Sequence, residues 1–156
     1  MRLTNRFVRI FQWIAPVLLP AFVVLGRGLL GAPLGWMAAI GIFVAPLMTI
    51  AMYASAIVFV FDRDAAAAKT GRLAYDVSNY VLWAALVVMG LTIQDGGDIG
   101  EYGSVLSTWG VISDDATLIV FPVAMAIAGL AWLATLITAI MCVVESRTGR
   151  RAISVR

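Results

Sequence analysis

The chain has 156 residues, of which 62% are hydrophobic and 13% charged, with a formal net charge of +2 and a mean hydropathy of +0.98. A soluble domain averages about 45–50% apolar and about 25% charged residues, and a water-exposed body of this size has too little interior to hide the excess, so lipid is the solvent for most of this chain. There is no histidine and one cysteine, Cys142, which excludes an intrachain disulfide, a CxxC redox pair, and haem or zinc sites built on histidine.

The chain opens with Arg2, Arg6 and Arg9 at i, i+4, i+7, with Leu3, Phe7 and Ile10 between them. That pattern is an amphipathic start whose cations sit among anionic headgroups, at about 1 kcal/mol per basic residue. An apolar run from about Ile10 to Gly26 follows, reaching Leu30 if Arg27 snorkels. It lacks an A-x-A site, so the reading is a retained helix rather than a cleaved leader. Pro16 and Pro20 lie inside it. Each removes one backbone hydrogen bond, which a neighbouring helix can replace.

Gly31-Ala32-Pro33-Leu34-Gly35 is a breaker-rich turn that makes the first two spans antiparallel neighbours. The second span covers 36–61. Gly41, Ala45, Thr49 and Tyr53 repeat every four residues along it, beside Pro46. Small and hydroxyl residues at that spacing mark a helix–helix contact. The alternative use of such a face is to line a pore.

A charged connection, Asp62–Arg72, leads to the third span, 73–93. Asp76, Asn79, Tyr80 and Trp83 share one face of it. This is a polar face at the membrane boundary, with Asp76 placed as a helix-start acid in headgroup water, within reach of Arg72. Residues 95–116 form the longest stretch outside the spans. They are expected to be a flexible Gly-rich turn and a short amphipathic segment, whose acids suit a basic partner. Alternate acids closed by a distal Glu are lacking, so no calcium loop is expected.

The fourth span covers 117–144, with Ser113 as its N-cap and Asp114 and Asp115 at the positive end of the helix dipole. Thr135, Thr138, Cys142 and Glu145 form a polar stripe, and Ala124, Ala128, Ala131 and Thr135 a small one. Pro122 lies inside this span. A second basic cluster, Arg147, Arg150 and Arg151, follows it and reads as a headgroup anchor like the first. Trp13, Trp36, Trp109 and Tyr75 fall near the span ends, where amphipathic rings sit at the membrane interface, and Trp83 and Trp132 fall deeper.

The charges are sorted by side. The N-terminus, the second connection with Asp76, and the C-terminal tail hold ten of the eleven cations, and the other two connections hold only Arg27 together with Asp95, Asp98, Glu101, Asp114 and Asp115. The positive-inside rule then places both termini in the cytoplasm. The expected fold is an all-α integral-membrane four-helix bundle, a single transmembrane domain over residues 1–156. Ten arginines against one lysine, with abundant alanine, suggest a bacterial source and therefore the bacterial cytoplasmic membrane.

No charge falls near the midplane, which counts against ion-coupled transport. Catalysis is not expected either: Cys142 has only Glu145 as a neighbouring base, with no group to orient it. The expected function is a non-catalytic accessory or structural subunit packing against a larger membrane complex. It would work without cofactor, metal or nucleic acid, its partners being membrane lipids and a protein neighbour or a second copy. The alternative is a homo-oligomeric channel or uniporter, with Thr49, Tyr53, Thr135 and Thr138 along a hydroxyl-lined path.

Overall fold

The computed structural model describes residues 6–61, 69–97 and 100–154. Arg2 therefore lies outside the described residues, as do the side chains of Arg147, Arg150 and Arg151. Four helices are long and apolar enough to cross a membrane: α1 (Arg6–Leu29), α2 (Trp36–Val60), α3 (Lys69–Thr92), apolar from Gly71, and α5 (Asp114–Ser154), apolar from Asp114 to Glu145. Between α3 and α5 lie strands β1 (Asp95–Gly97) and β2 (Gly100–Tyr102) and the short helix α4 (Val105–Thr108).

The helices extend past the apolar runs in both directions. α1 starts at Arg6 rather than Ile10, because the interleaved Arg/Phe/Ile pattern already has helical period. α5 has 41 residues, roughly 60 Å at 1.5 Å per residue, about twice a ~30 Å hydrocarbon core. Ser146–Ser154 holds no proline and a single glycine, Gly149, which a helix tolerates, and the backbone continues past the apolar stretch.

The turn between α1 and α2 is built as its sequence suggests. Gly31 takes φ +87°, and the Ala32 N–H donates to the Arg27 carbonyl at 2.9 Å. This is the Schellman closure, which needs a left-handed residue after the helix. α1 then packs on α2 and α3, and α5 packs on α2 and, most extensively, on α3. α5 buries small residues (Ala124, Ala128, Ala131 and Ala139), which permits close helix approach. The core also holds Leu19, Val23, Met52, Leu82, Leu86 and Met89.

The described residues of 95–116 form a short hairpin and one helical turn. β1 and β2 pair antiparallel, with Asp95 opposite Tyr102 and Gly96 opposite Glu101. Ser104 caps α4, its hydroxyl accepting from the Ser107 N–H at 3.1 Å, and Val105 is fully buried. One end of the molecule, the hairpin end, gathers the close of α1, the start of α2, the hairpin and the start of α5. The starts of α1 and α3 and the ends of the apolar parts of α2 and α5 lie at the other, terminal end.

Candidate functional site

Buried polar groups concentrate at the two ends of the bundle. At the hairpin end, Arg27 and Asp95 form an ion pair, Nη1 to Oδ2 3.4 Å, with side chains 1% and 0% exposed. Asp95 Oδ2 also accepts from the Gly35 N–H, and Oδ1 from the Met37 and Gly96 N–H groups, each at 2.8 Å. Gly35 is the N-cap residue of α2. Asp95 therefore supplies, from 58 and 60 residues away, the carboxylate that a helix start normally takes from its own cap residue. Arg27 Nη2 donates to the Gly103 carbonyl at 3.0 Å, joining the far side of the hairpin to α1. A Cβ on Gly35 would collide with the Gly96 carbonyl and the Asp95 carboxylate, so glycine is what allows the hairpin to seat.

Two further bonds brace this end. Trp109 Nε1 donates to the Leu30 carbonyl at 3.3 Å. Gln94 Nε2 donates to the Asp114 carbonyl at 2.7 Å and the Thr117 hydroxyl at 2.5 Å, tying the end of α3 to the start of α5. Ser113 does cap α5, accepting from the Ala116 N–H at 3.2 Å. Neither Arg27 nor Asp95 stands out in the sequence as a pair. The signal present was that Arg27 is the one cation placed among the acidic connections. It does not snorkel to water but turns inward to the first acid after α3.

At the terminal end the polar face of α3 turns inward. Asp76 and Asn79 are buried, Arg72 is buried one turn earlier, and Trp83 is buried one turn later; Tyr80 stays exposed. Asp76 is thus not a headgroup-solvated helix start, because α3 packs on both α1 and α5 along this face. Tyr75 is 0% exposed rather than part of an interfacial belt. Its hydroxyl donates to Gln12 Oε1 at 2.9 Å, and its ring stacks on Phe59 with centroids 3.9 Å apart. Asn79 Nδ2 donates to the Tyr75 carbonyl at 3.0 Å. Gln12 follows Arg9 by three residues in an otherwise apolar stretch, and that spacing alone does not reveal that its amide is buried against Tyr75.

The hydroxyls between these ends divide into two kinds. On α2, Thr49 donates to the Pro16 carbonyl at 2.7 Å and Tyr53 to the Trp13 carbonyl at 3.1 Å, both on α1. The Pro16 carbonyl is the one Pro20 cannot serve, having no N–H, and Thr49 replaces the missing donor. On α5, Thr135 and Thr138 donate to carbonyls one turn back in their own helix, Ala131 and Ala134, at 2.8 and 2.7 Å. Thr135 and Cys142 are buried, Thr138 half-buried and Glu145 exposed. Gly41 is buried against Val24 of α1, and Ala45 is half-buried. Trp132 adds a bond from α5 to α2, Nε1 to the Ala51 carbonyl at 2.8 Å.

Among the described residues no three His, Cys, Asp or Glu side chains come together as a metal would require. The exposed Arg6 and Arg9 stand in the first turn of α1. No protein-family model, no curated protein and no solved structure matches the chain. What this geometry does chemically is hold helices and the hairpin in register.

Proposed function

We propose that the chain is a multi-pass protein of the bacterial cytoplasmic membrane, with both termini in the cytoplasm. In this reading it serves as a non-catalytic accessory or structural subunit packed against a larger membrane complex. The orientation rests on the ten cations that fall on the terminal side, against one on the hairpin side.

The observation that carries the role is where the intramembrane polar groups point. Thr49, Tyr53 and Trp132 spend their donors on carbonyls of a neighbouring helix, and Thr135 and Thr138 spend theirs on their own. A solute path needs such groups free to face a common lumen. Here they are fasteners, as expected of a bundle whose work is to keep a shape. Outside, α2 presents Ile40, Phe43, Leu47 and Ile50 as exposed apolar surface, suited to lipid or to an apolar protein neighbour.

The test is mild-detergent extraction of the affinity-tagged chain, native electrophoresis and mass spectrometry of the band. The expected result is migration well above the 16.7 kDa chain with a second membrane protein at fixed stoichiometry. A small single-component species overturns the accessory role. Solute flux in liposomes that is lost in Thr49→Leu or Thr138→Leu replaces it with a channel.

A further inference from the structure

The outer side of the α1–α2 seam carries, at its terminal end, polar groups that the packing does not use. Tyr53 donates to the Trp13 carbonyl, Thr49 to the Pro16 carbonyl, and Gly41 lies against Val24. These three contacts share one antiparallel register, which sets Ile57 and Val60 of α2 level with Arg9 and Arg6 of α1. At about 100° per residue, Arg6, Arg9 and Trp13 lie within about 60° of one another around α1. Their side of α1 is the one that turns to α2, because the Trp13 ring meets the Tyr53 ring with centroids 6.2 Å apart. Phe7 and Phe11 face the other way, onto Trp83 of α3.

Arg6 and Arg9 are both exposed. Facing them, α2 carries no charged residue from Trp36 to Phe61, and Ile57 and Val60 are apolar and half exposed. Among the described residues neither arginine forms an ion pair, and the Trp13 indole N–H has no acceptor. Further into the span the same side of the seam presents Val17, Ile50 and Pro46, all exposed. The seam is therefore cationic at its end, lined by an amphipathic ring next, and apolar beyond.

We propose that the outer α1–α2 seam binds one anionic phospholipid. Arg6 and Arg9 hold its phosphodiester, the Trp13 indole N–H donates to a glycerol ester carbonyl, and one acyl chain lies along Val17, Ile50 and Pro46. Charge names the occupant. A neutral lipid or an apolar helix would cover the lower seam equally well, but would leave two cations over an apolar helix without a counter-charge. A phosphate that carries its own chains meets both ends of the seam. The inference uses the membrane setting only and stands apart from the accessory role.

The experiment is thermal unfolding of the purified full chain in non-ionic detergent micelles, followed by circular dichroism. Dioleoyl phosphatidylglycerol, dioleoyl phosphatidylcholine or inorganic phosphate is added in turn. A ligand that binds only the folded state raises the midpoint. Phosphatidylglycerol is expected to raise it by several degrees and the other two to leave it within error. The rise should vanish in Arg6→Gln/Arg9→Gln and shrink in Trp13→Leu, which keeps the backbone carbonyl that Tyr53 bonds. It should persist in Lys69→Gln, which removes a cation at the start of α3, and in Phe7→Leu, which removes a ring from the other side of α1. Should the double variant fail to fold, Arg9→Gln alone must still lower the rise. An equal rise with phosphatidylcholine or with inorganic phosphate overturns the site. So does a phosphatidylglycerol rise that survives loss of the arginines, or one that falls as far in Lys69→Gln, the mark of a general attraction to basic residues.

Discussion

Asp95 is bonded on every side: three backbone N–H groups and the Arg27 guanidinium surround one carboxylate. Replacing it with alanine strands a buried cation and uncaps α2. Breaking a buried pair in this way costs about 3–5 kcal/mol. The Asp95→Ala protein should therefore lose most of its resistance to SDS-induced unfolding in mixed micelles. Asp95→Asn should lose less, since its amide oxygen still accepts at the start of α2. Thr49 and Thr138 make a second comparison at this scale, because both hydroxyls bond carbonyls at 2.7 Å. Only Thr49 serves a carbonyl that proline has deprived of its donor. Thr49→Val should cost about 1 kcal/mol, the typical worth of a single net hydrogen bond. Thr138→Val should be near neutral in the same titration, as the Ala134 carbonyl keeps its place in the helix ladder. The two threonines look alike in the sequence. Which of them fastens two helices depends on the position of Pro16 and Pro20 in another span.

At the scale of the element, the four spans were legible because lipid imposes a simple rule. Backbone polar groups must be satisfied within the segment, so a long apolar run has to be a helix. The ends were less legible. Helix α5 runs through Ser154 because helical period and the lack of a proline after Pro122, not hydropathy, decide where a helix stops. The hairpin was missed because Gly96, Gly97 and Gly100 dilute any strand signal; only the seating of Asp95 on α2 fixes its register. Close packing between elements gives a direct prediction. A Cβ on Gly41 would stand 2.6 Å from both Val24 Cγ atoms, and a β-branched side chain has little freedom to move aside. Gly41→Ala should destabilise the α1–α2 pair by roughly 1–3 kcal/mol, the usual cost of overpacking. Gly129→Ala on α5, with nothing within 4 Å of the added carbon, should hold the midpoint or raise it slightly, because alanine loses less backbone entropy in a helix. Thermal unfolding of the two variants side by side checks both.

For the whole molecule, the hairpin end and the terminal end are distinct in chemistry as well as position. One is closed by an ion pair and a capped helix start, the other by Tyr75, Gln12 and Phe59, with Arg6 and Arg9 exposed on the first turn of α1. If the proposed orientation holds, Val111→Cys, at an exposed site on the hairpin end, reacts with a membrane-impermeant maleimide on intact spheroplasts. Arg156→Cys reacts only after permeabilisation. Cys142, fully buried, should react slowly in either case and serve as the background. The reverse pattern inverts the topology.

The sequence by itself determined the solvent, the number of spans and the sorting of charge, because each follows from composition and local period, which act on residues near one another in the chain. Residues 58 to 76 apart make the clamp of Arg27, Asp95, Met37 and Gly103. That pairing and the inward turn of Asp76 and Tyr75 were decided only by the tertiary structure. A buried charge or hydroxyl takes whichever donor or acceptor the fold brings to it, and the cost of leaving it unmet in an apolar interior makes that choice binding.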